Sequence, residues 1–231
     1  MEKGILHSSY YDRVIRSQNE LVGLLDEDEF ILSYVNLNNF CLEAMVDVTA
    51  FIVDSSVLAK AVDVQCMSPD YSSVMGELLS KSDRIMYIGG CLDENVMFIN
   101  KQKKLFPSSE HKGLSGYGIE LKQYIVEVSK FAPDTIVISL GYELQESLGS
   151  AIKRSGFRGK IICSGAFLSQ ESRADKTTYY PKWIVKLNLR WLFRLFIEKT
   201  ARKRVPRIVL NYLKMKALVM LILYKKFLGN S

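Results

Sequence analysis

Short apolar runs, rich in β-branched residues and separated by segments of helical texture, constrain this chain more than any other feature. Residues 30–37, 48–53, 84–88, 135–140 and 160–163 each form such a run. Continuous apolarity, rather than strict alternation, marks strands covered on both faces, which is the condition of a parallel sheet. Between the runs the texture predicts a helix closing at 21–25, then helices at 39–46, 55–61, 71–80, 92–105, 116–130 and 143–155. The expected fold is α/β, a mainly parallel, doubly wound (Rossmann-like) sheet. A length of 231 residues suits one such domain with a small appendage.

Sheets of this kind bind ligands where the strands end, beside a point at which the strand order reverses. That singles out Asn36, Asn38, Asp54, Gly89, Gly90, Gly141 and Gly165, each of which ends or follows a predicted strand. A carboxylate at Asp54 faces the ligand crevice and suits a general base. The plainer reading of Asp54 is the N-cap of the helix after it. Gly89-Gly90 before a helix suits backbone N–H groups meeting a phosphate, or simply a tight strand-to-helix turn. Gln145 and Glu146 at a helix start suit hydrogen bonds to a nucleobase or ribose, or an acidic first turn favoured by the helix dipole.

Several chemistries have no support. There is no G-x-G-x-x-G and no phosphate-binding G-x-x-x-x-G-K-[ST] loop. There is no G-x-S-x-G nucleophile turn. The two histidines, His7 and His111, are isolated, and the four cysteines are scattered without C-x-x-C, so no metal site is expected. Asp26-Glu27-Asp28 imitates a metal-binding D-x-D but sits in an acidic run that reads as solvated surface. The opening Met1-Glu2-Lys3-Gly4 lacks an apolar core, so no signal peptide is expected. No apolar run approaches the roughly 20 residues that cross a bilayer.

Charge divides the chain. Residues 181–231 hold 13 basic residues and one acid, a charge of +12. The 180 residues before them hold 18 basic and 24 acidic residues, a charge of −6. The division predicts an α/β domain over 1–180 and a basic, amphipathic helical appendage over 181–231. Lys182, Lys186, Arg190, Arg194, Glu198 and Arg202 recur every fourth residue, with Trp183, Leu187, Trp191, Leu195 and Phe196 on the apolar side. Pro206 is expected to interrupt, and 208–228 to form a last helix. Such a tail seeks a polyanion. Aromatic residues on its apolar side and a greasy final helix favour an anionic membrane surface over nucleic acid.

The motifs have an order and spacing of their own. Leu140-Gly141-x-x-x-Gln145-Glu146 is followed by Ser164-Gly165-Ala166-Phe167, then Pro181-Lys182-Trp183, then Leu189-Arg190-Trp191-Leu192-Phe193-Arg194-Leu195. Asn36-x-Asn38, Asp54, Ser68-Pro69-Asp70, Ile88-Gly89-Gly90 and Phe106-Pro107 precede them. Over residues 30–204 this pattern resembles the bacterial WecG/TagA/CpsF glycosyltransferases. The resemblance implies an inverting, metal-independent transfer of an N-acetylmannosamine-type or other hexose from a UDP-sugar. The acceptor it implies is a polyprenyl-diphosphate-linked GlcNAc, in capsule, exopolysaccharide or teichoic-acid synthesis.

By the same resemblance Asp54 is the base, and Asn36, Asn38 and Asp70 line the sugar site. Gln145 and Glu146 lie by the uridine, and Arg190, Arg194 and Arg204 meet the diphosphate. It also implies a cytoplasmic enzyme, peripheral on the inner face of the plasma membrane, and leaves a homo-oligomer open. Departures are Asn36 for the family's threonine, Ser55 for a glycine, Glu143 for a proline and Arg190 for a glutamate. They keep a second expectation alive, a non-catalytic relative serving as a binding subunit in a polysaccharide assembly complex.

Overall fold

The apolar runs become strands of one sheet. The computed structural model describes residues 5–174, 181–186, 193, 196 and 199–229. Among them β1 (Phe30–Val35), β2 (Ala50–Val53), β3 (Arg84–Gly89), β4 (Glu110–Leu114), β5 (Thr135–Ser139) and β6 (Lys160–Cys163) form a six-stranded sheet in the order β2-β1-β6-β5-β3-β4. Every pairing is parallel, with Tyr34 opposite Ile52, Leu32 opposite Ile162 and Gly89 opposite Ser139. The α/β, doubly wound architecture is the one the runs imply.

Helices cover both faces. They are α1 (Gln18–Asp26), α2 (Ser56–Val62), α3 (Met75–Ser80), α4 (Leu92–Leu105), α5 (Leu121–Phe131), α6 (Leu144–Arg154), α7 (Phe167–Ser172), α8 (Lys182–Lys186) and α9 (Lys199–Gly229). Side chains alternate along each strand, so one apolar run feeds two cores. Ile31, Val35, Met86, Ile88, Ile136 and Ile161 pack with α2, α5, α6 and Met215 of α9. Phe30, Leu32, Ile85, Tyr87, Val137 and Ile162 pack with α1, α3, α4 and α7.

The faces decide where the crevice opens. β5 exits into α6 on one face, while its neighbours β3 and β6 exit into α4 and α7 on the other. Adjacent strands whose chains leave in opposite directions open a gap at their carboxyl ends. Gly89, Gly90, Gly141 and Gly165 all stand along that gap.

Three local expectations are corrected. Residues 39–46 are turns, not a helix. Asn36 Oδ1 accepts from the Asn38 N–H at 2.8 Å and Asn39 Oδ1 from the Asn36 N–H at 2.7 Å. Asparagine side chains thus supply partners that a helix would otherwise give. A strand, β4, lies in the stretch between the helices expected at 92–105 and 116–130, where no element was expected, and α5 begins only at Leu121. Its residues Glu110-His111-Lys112-Gly113-Leu114 pair with β3 alone, and an edge strand needs no continuous apolarity. Pro206 lies inside α9 and does not end it. An interior proline removes one hydrogen bond and bends a helix whose flanks still favour it.

α9 is seated on the body. Met215 is 1% exposed, and Tyr212, Leu218 and Val219 pack against the same core. Lys214 lies near Cys41, whose thiol burial pushes up and the ammonium pulls partly back. The last helix therefore runs beside the loop that leaves β1.

Candidate active site

Asp54 directly follows β2 at the carboxyl edge of the sheet and is half-buried. Its N–H donates to Val35 O at 2.9 Å, which extends the β1–β2 ladder to that position. The cap of α2 is supplied by the next residue, because Ser55 Oγ accepts from the Leu58 N–H at 3.3 Å. The sequence alternative of Asp54 as that cap is thereby removed.

Across β1 and β6 lies a buried polar network. Gln145 and Glu146 are 0% and 1% exposed at the start of α6. Glu146 Oε1 accepts from Ser33 Oγ at 2.6 Å and Gln145 Nε2 at 2.9 Å. Glu146 Oε2 accepts from the Glu143 N–H at 2.7 Å. Gln145 Oε1 accepts from the Gly165 N–H at 2.9 Å. A buried carboxylate holds its charge only among donors of this kind. The pair binds three segments together, namely β1, the loop after β5 and the loop after β6. Both side chains were expected at the uridine, and in this arrangement their contacts are with the protein.

Tyr34, which sequence reasoning passed over, stands in the middle of this network. Its hydroxyl is raised well above the ordinary phenol range by burial, and the Glu146 and Asp54 carboxylates add to the shift. A hydrogen bond with Gln145 works in the opposite direction. Gly165 has φ +63°, and a Cβ there would lie 2.6 Å from the Tyr34 oxygen. Only glycine meets both conditions. The missed signal was Ser33-Tyr34 inside an apolar strand, since polar atoms in a covered strand require partners.

The remaining candidates lie around the same edge. Gly89 has φ +149°, and a Cβ would come within 2.3 Å of Ser139 O. β3 and β5 therefore approach at their ends only because that position is glycine. Gly90 opens toward the start of α4, where Glu94 Oε2 accepts from the Cys91 N–H at 3.1 Å and from Ser169 Oγ at 3.0 Å. Burial opposes ionisation of Glu94, but these donors and Arg173 hold its carboxyl below the usual range. Around the place of a Cβ on Gly141 there is open space.

Asn36 and Asn38 lie in the bend after β1, and Asn39 Nδ2 fastens that bend to Tyr34 O at 3.0 Å. Arg13 staples the loop's far side. Its Nη1 donates to Met45 O and Val48 O at 2.7 and 2.9 Å, its Nε and Nη2 to Ser9 O at 3.0 and 2.6 Å, and its guanidinium lies over Phe51. The Asp70 carboxylate accepts from Ser68 Oγ at 3.1 Å and the Ser72 N–H at 2.8 Å, just beyond the segment where the Met67 N–H donates to Val53 O at 3.0 Å. Arg190 and Arg194 lie outside the described residues, and for Arg204 the backbone alone is described, within α9. Among the described residues no group of three or more His, Cys, Asp or Glu is placed to hold a metal ion. None of the described helices is long and apolar enough to cross a membrane.

Comparison with known proteins places this geometry. Over 106 residues, 43% of this chain and 44% of the relative, it is 35% identical to a UDP-Gal:alpha-D-GlcNAc-diphosphoundecaprenol beta-1,4-galactosyltransferase of Shigella boydii. Over 148 residues, 62% of this chain and 57% of the relative, it is 24% identical to an N-acetylglucosaminyldiphosphoundecaprenol N-acetyl-beta-D-mannosaminyltransferase of Bacillus subtilis (strain 168). The chain thus spans about half the length of the curated relatives it matches. Residues 45–227, from the loop after β1 to the end of α9, match the family description "Glycosyl transferase WecG/TagA/CpsF family". The chain belongs to the WecG/TagA/CpsF family of glycosyl transferases.

Proposed function

We propose that this chain transfers a hexose from a UDP-sugar to a polyprenyl-diphosphate-linked GlcNAc, with inversion and without a metal. The observation that carries the reading is the Asp54 carboxylate at the carboxyl edge of the parallel sheet, in a chain of this family. Asp54 takes the proton of the acceptor hydroxyl as that oxygen attacks the anomeric carbon. The bond to UDP breaks on the opposite face, and the leaving diphosphate gathers negative charge. Arg190, Arg194 and Arg204 are assigned to neutralise it. Asn36, Asn38 and Asp70 are assigned to the sugar, and the Gly89-Gly90 and Gly141 edges to the nucleotide diphosphate. Gln145, Glu146 and Gly165 shape the wall of the nucleotide pocket. Wild-type protein incubated with a panel of UDP-hexoses and a GlcNAc-diphospho-lipid is expected to release UDP with at least one donor, EDTA present or not. Absence of turnover with every donor would favour the binding-subunit reading.

Charge and α9 support a seat on the cytoplasmic face of an anionic membrane. Opposite buried Met215, the helix exposes Val209, Leu210, Leu213 (58%) and Met220 (71%), flanked by exposed Arg207, Lys214 and Lys216. An apolar stripe bordered by cations suits the headgroup–acyl boundary, and each basic residue near an anionic leaflet adds about 1 kcal/mol. The variant Leu210→Glu/Leu213→Glu is expected to lower cosedimentation with phosphatidylglycerol vesicles at least about tenfold, each leucine being worth about 1.5 kcal/mol or more when buried. Its melting temperature should stay within about 2 °C, because both side chains face outward. Unchanged vesicle binding would remove α9 as the contact.

A further inference from the structure

We propose that Arg173 is a further contact to the leaving diphosphate of the UDP-sugar, held beside the Gly89-Gly90 turn by Glu94. The inference rests on the assignment of that turn to the nucleotide diphosphate, made above.

The turn has two close neighbours. A Cβ on Gly90 would lie 2.7 Å from Leu168 Cδ2 and 2.8 Å from Glu94 Oε2. Glu94 belongs to the first turn of α4, which starts from the end of β3. Leu168 belongs to α7, which starts from the end of β6. Arg173 closes α7 in helical conformation, one turn after Ser169 and on the same side of the helix. Both donate to the Glu94 carboxylate, Ser169 Oγ to Oε2 at 3.0 Å and Arg173 Nη2 to Oε1. Glu171, between them, pairs instead with Lys101 at 3.0 Å, about two turns further along α4. The 169/173 side of α7 therefore meets α4 at its amino end, by the carboxyl edge of the sheet.

The pair is unequal in exposure. The Glu94 side chain is 15% exposed and that of Arg173 68%. Glu94 is also fastened by the Cys91 N–H at 3.1 Å, so the acid is the buried support and the guanidinium is the part that meets solvent. A lone carboxylate at this turn would repel a diphosphate, and Arg173 cancels its charge. Of the fork of N–H donors on the guanidinium, one goes to Glu94, and among the described residues no other acceptor takes the rest. A guanidinium already fixed on one side is ready to grip a diphosphate with its remaining donors. In the transfer, the acceptor oxygen bonds to the anomeric carbon and its proton passes to Asp54. The bond from that carbon to UDP breaks, and its electron pair stays on the diphosphate oxygen, where Arg173 offsets the new charge.

The test is the affinity of Arg173→Ala for UDP, by calorimetry, and for phosphate-free uridine, by NMR titration. UDP should bind about tenfold more weakly than to wild type, the loss expected for one charge-assisted hydrogen bond. Uridine should change less than about twofold. Arg173→Lys, which keeps the charge without the fork, should lie between. The melting temperature of Arg173→Ala should stay within about 2 °C, because the side chain is mostly exposed. Unchanged UDP affinity, or an equal loss for uridine, overturns the proposal. A loss confined to UDP, in a protein that turns over no donor, keeps Arg173 at the diphosphate and overturns the transferase reading instead. Wild-type protein that binds no UDP would overturn both.

Discussion

Replacing Asp54 by Asn is expected to lower sugar transfer by about a thousandfold, within the range of roughly 10² to 10⁴ that one general base contributes. The amide has nearly the same size and can still be solvated at the half-buried end of β2. What it lacks is the capacity to accept the proton of the attacking hydroxyl. The ladder bond from residue 54 to Val35 O is a backbone contact and survives the change. Ser55, not Asp54, caps α2, so the helix keeps its start. Melting temperature and UDP affinity should therefore stay near the wild-type values while turnover disappears. Turnover within tenfold of wild type would assign the base elsewhere.

Glu146→Ala should act on the fold itself. It removes the acceptor of the Ser33 hydroxyl, the Gln145 amide and the Glu143 N–H from a place that is 1% exposed. Each buried donor left without a partner costs about 1 kcal/mol or more, which sums to about 3 kcal/mol. For a chain of this size that corresponds to a melting temperature lower by about 6–12 °C. Glu146→Gln keeps an acceptor and the volume but turns an NH₂ toward one of the donors, so its loss should be about a third as large. Differential scanning calorimetry on the two variants checks the order. A carboxylate whose only task was to touch a ligand would leave both melting temperatures unchanged.

The legible parts of the sequence and the illegible ones differ for physical reasons. Strands such as Thr135–Ser139 and Arg84–Gly89 are covered by helices on both sides, and that demand is written as uninterrupted apolarity. β4 carries no such demand, because it pairs on one side and its residues are half-exposed. The turns that follow β1 depend on two asparagine side chains, Asn36 and Asn39, bonding nearby backbone, a choice that apolar spacing does not report. The placement of Asp54 at the carboxyl edge was legible because a carboxylate closing a covered strand is unusual. Gln145 and Glu146 were legible as a pair and not in their setting. Their partners Ser33 and Gly165 lie 113 and 20 residues away in sequence, and only the sheet order brings those segments together.

The Arg13 staple extends the reach of the crevice to the amino end of the chain. Five hydrogen bonds from one guanidinium join Ser9 to the carbonyls of Met45, Val46 and Val48, and so brace the far end of the loop that begins with Asn36 and Asn38. Those opening residues lack a continuous apolar run, yet Ile5, Leu6, Tyr10 and Val14 are buried in the core beside the staple. Shortening the protein from that side would strip β2 of its outer backbone partner, since Phe51 exchanges hydrogen bonds with Arg13 and Ile15, and would release the loop that leads into that strand.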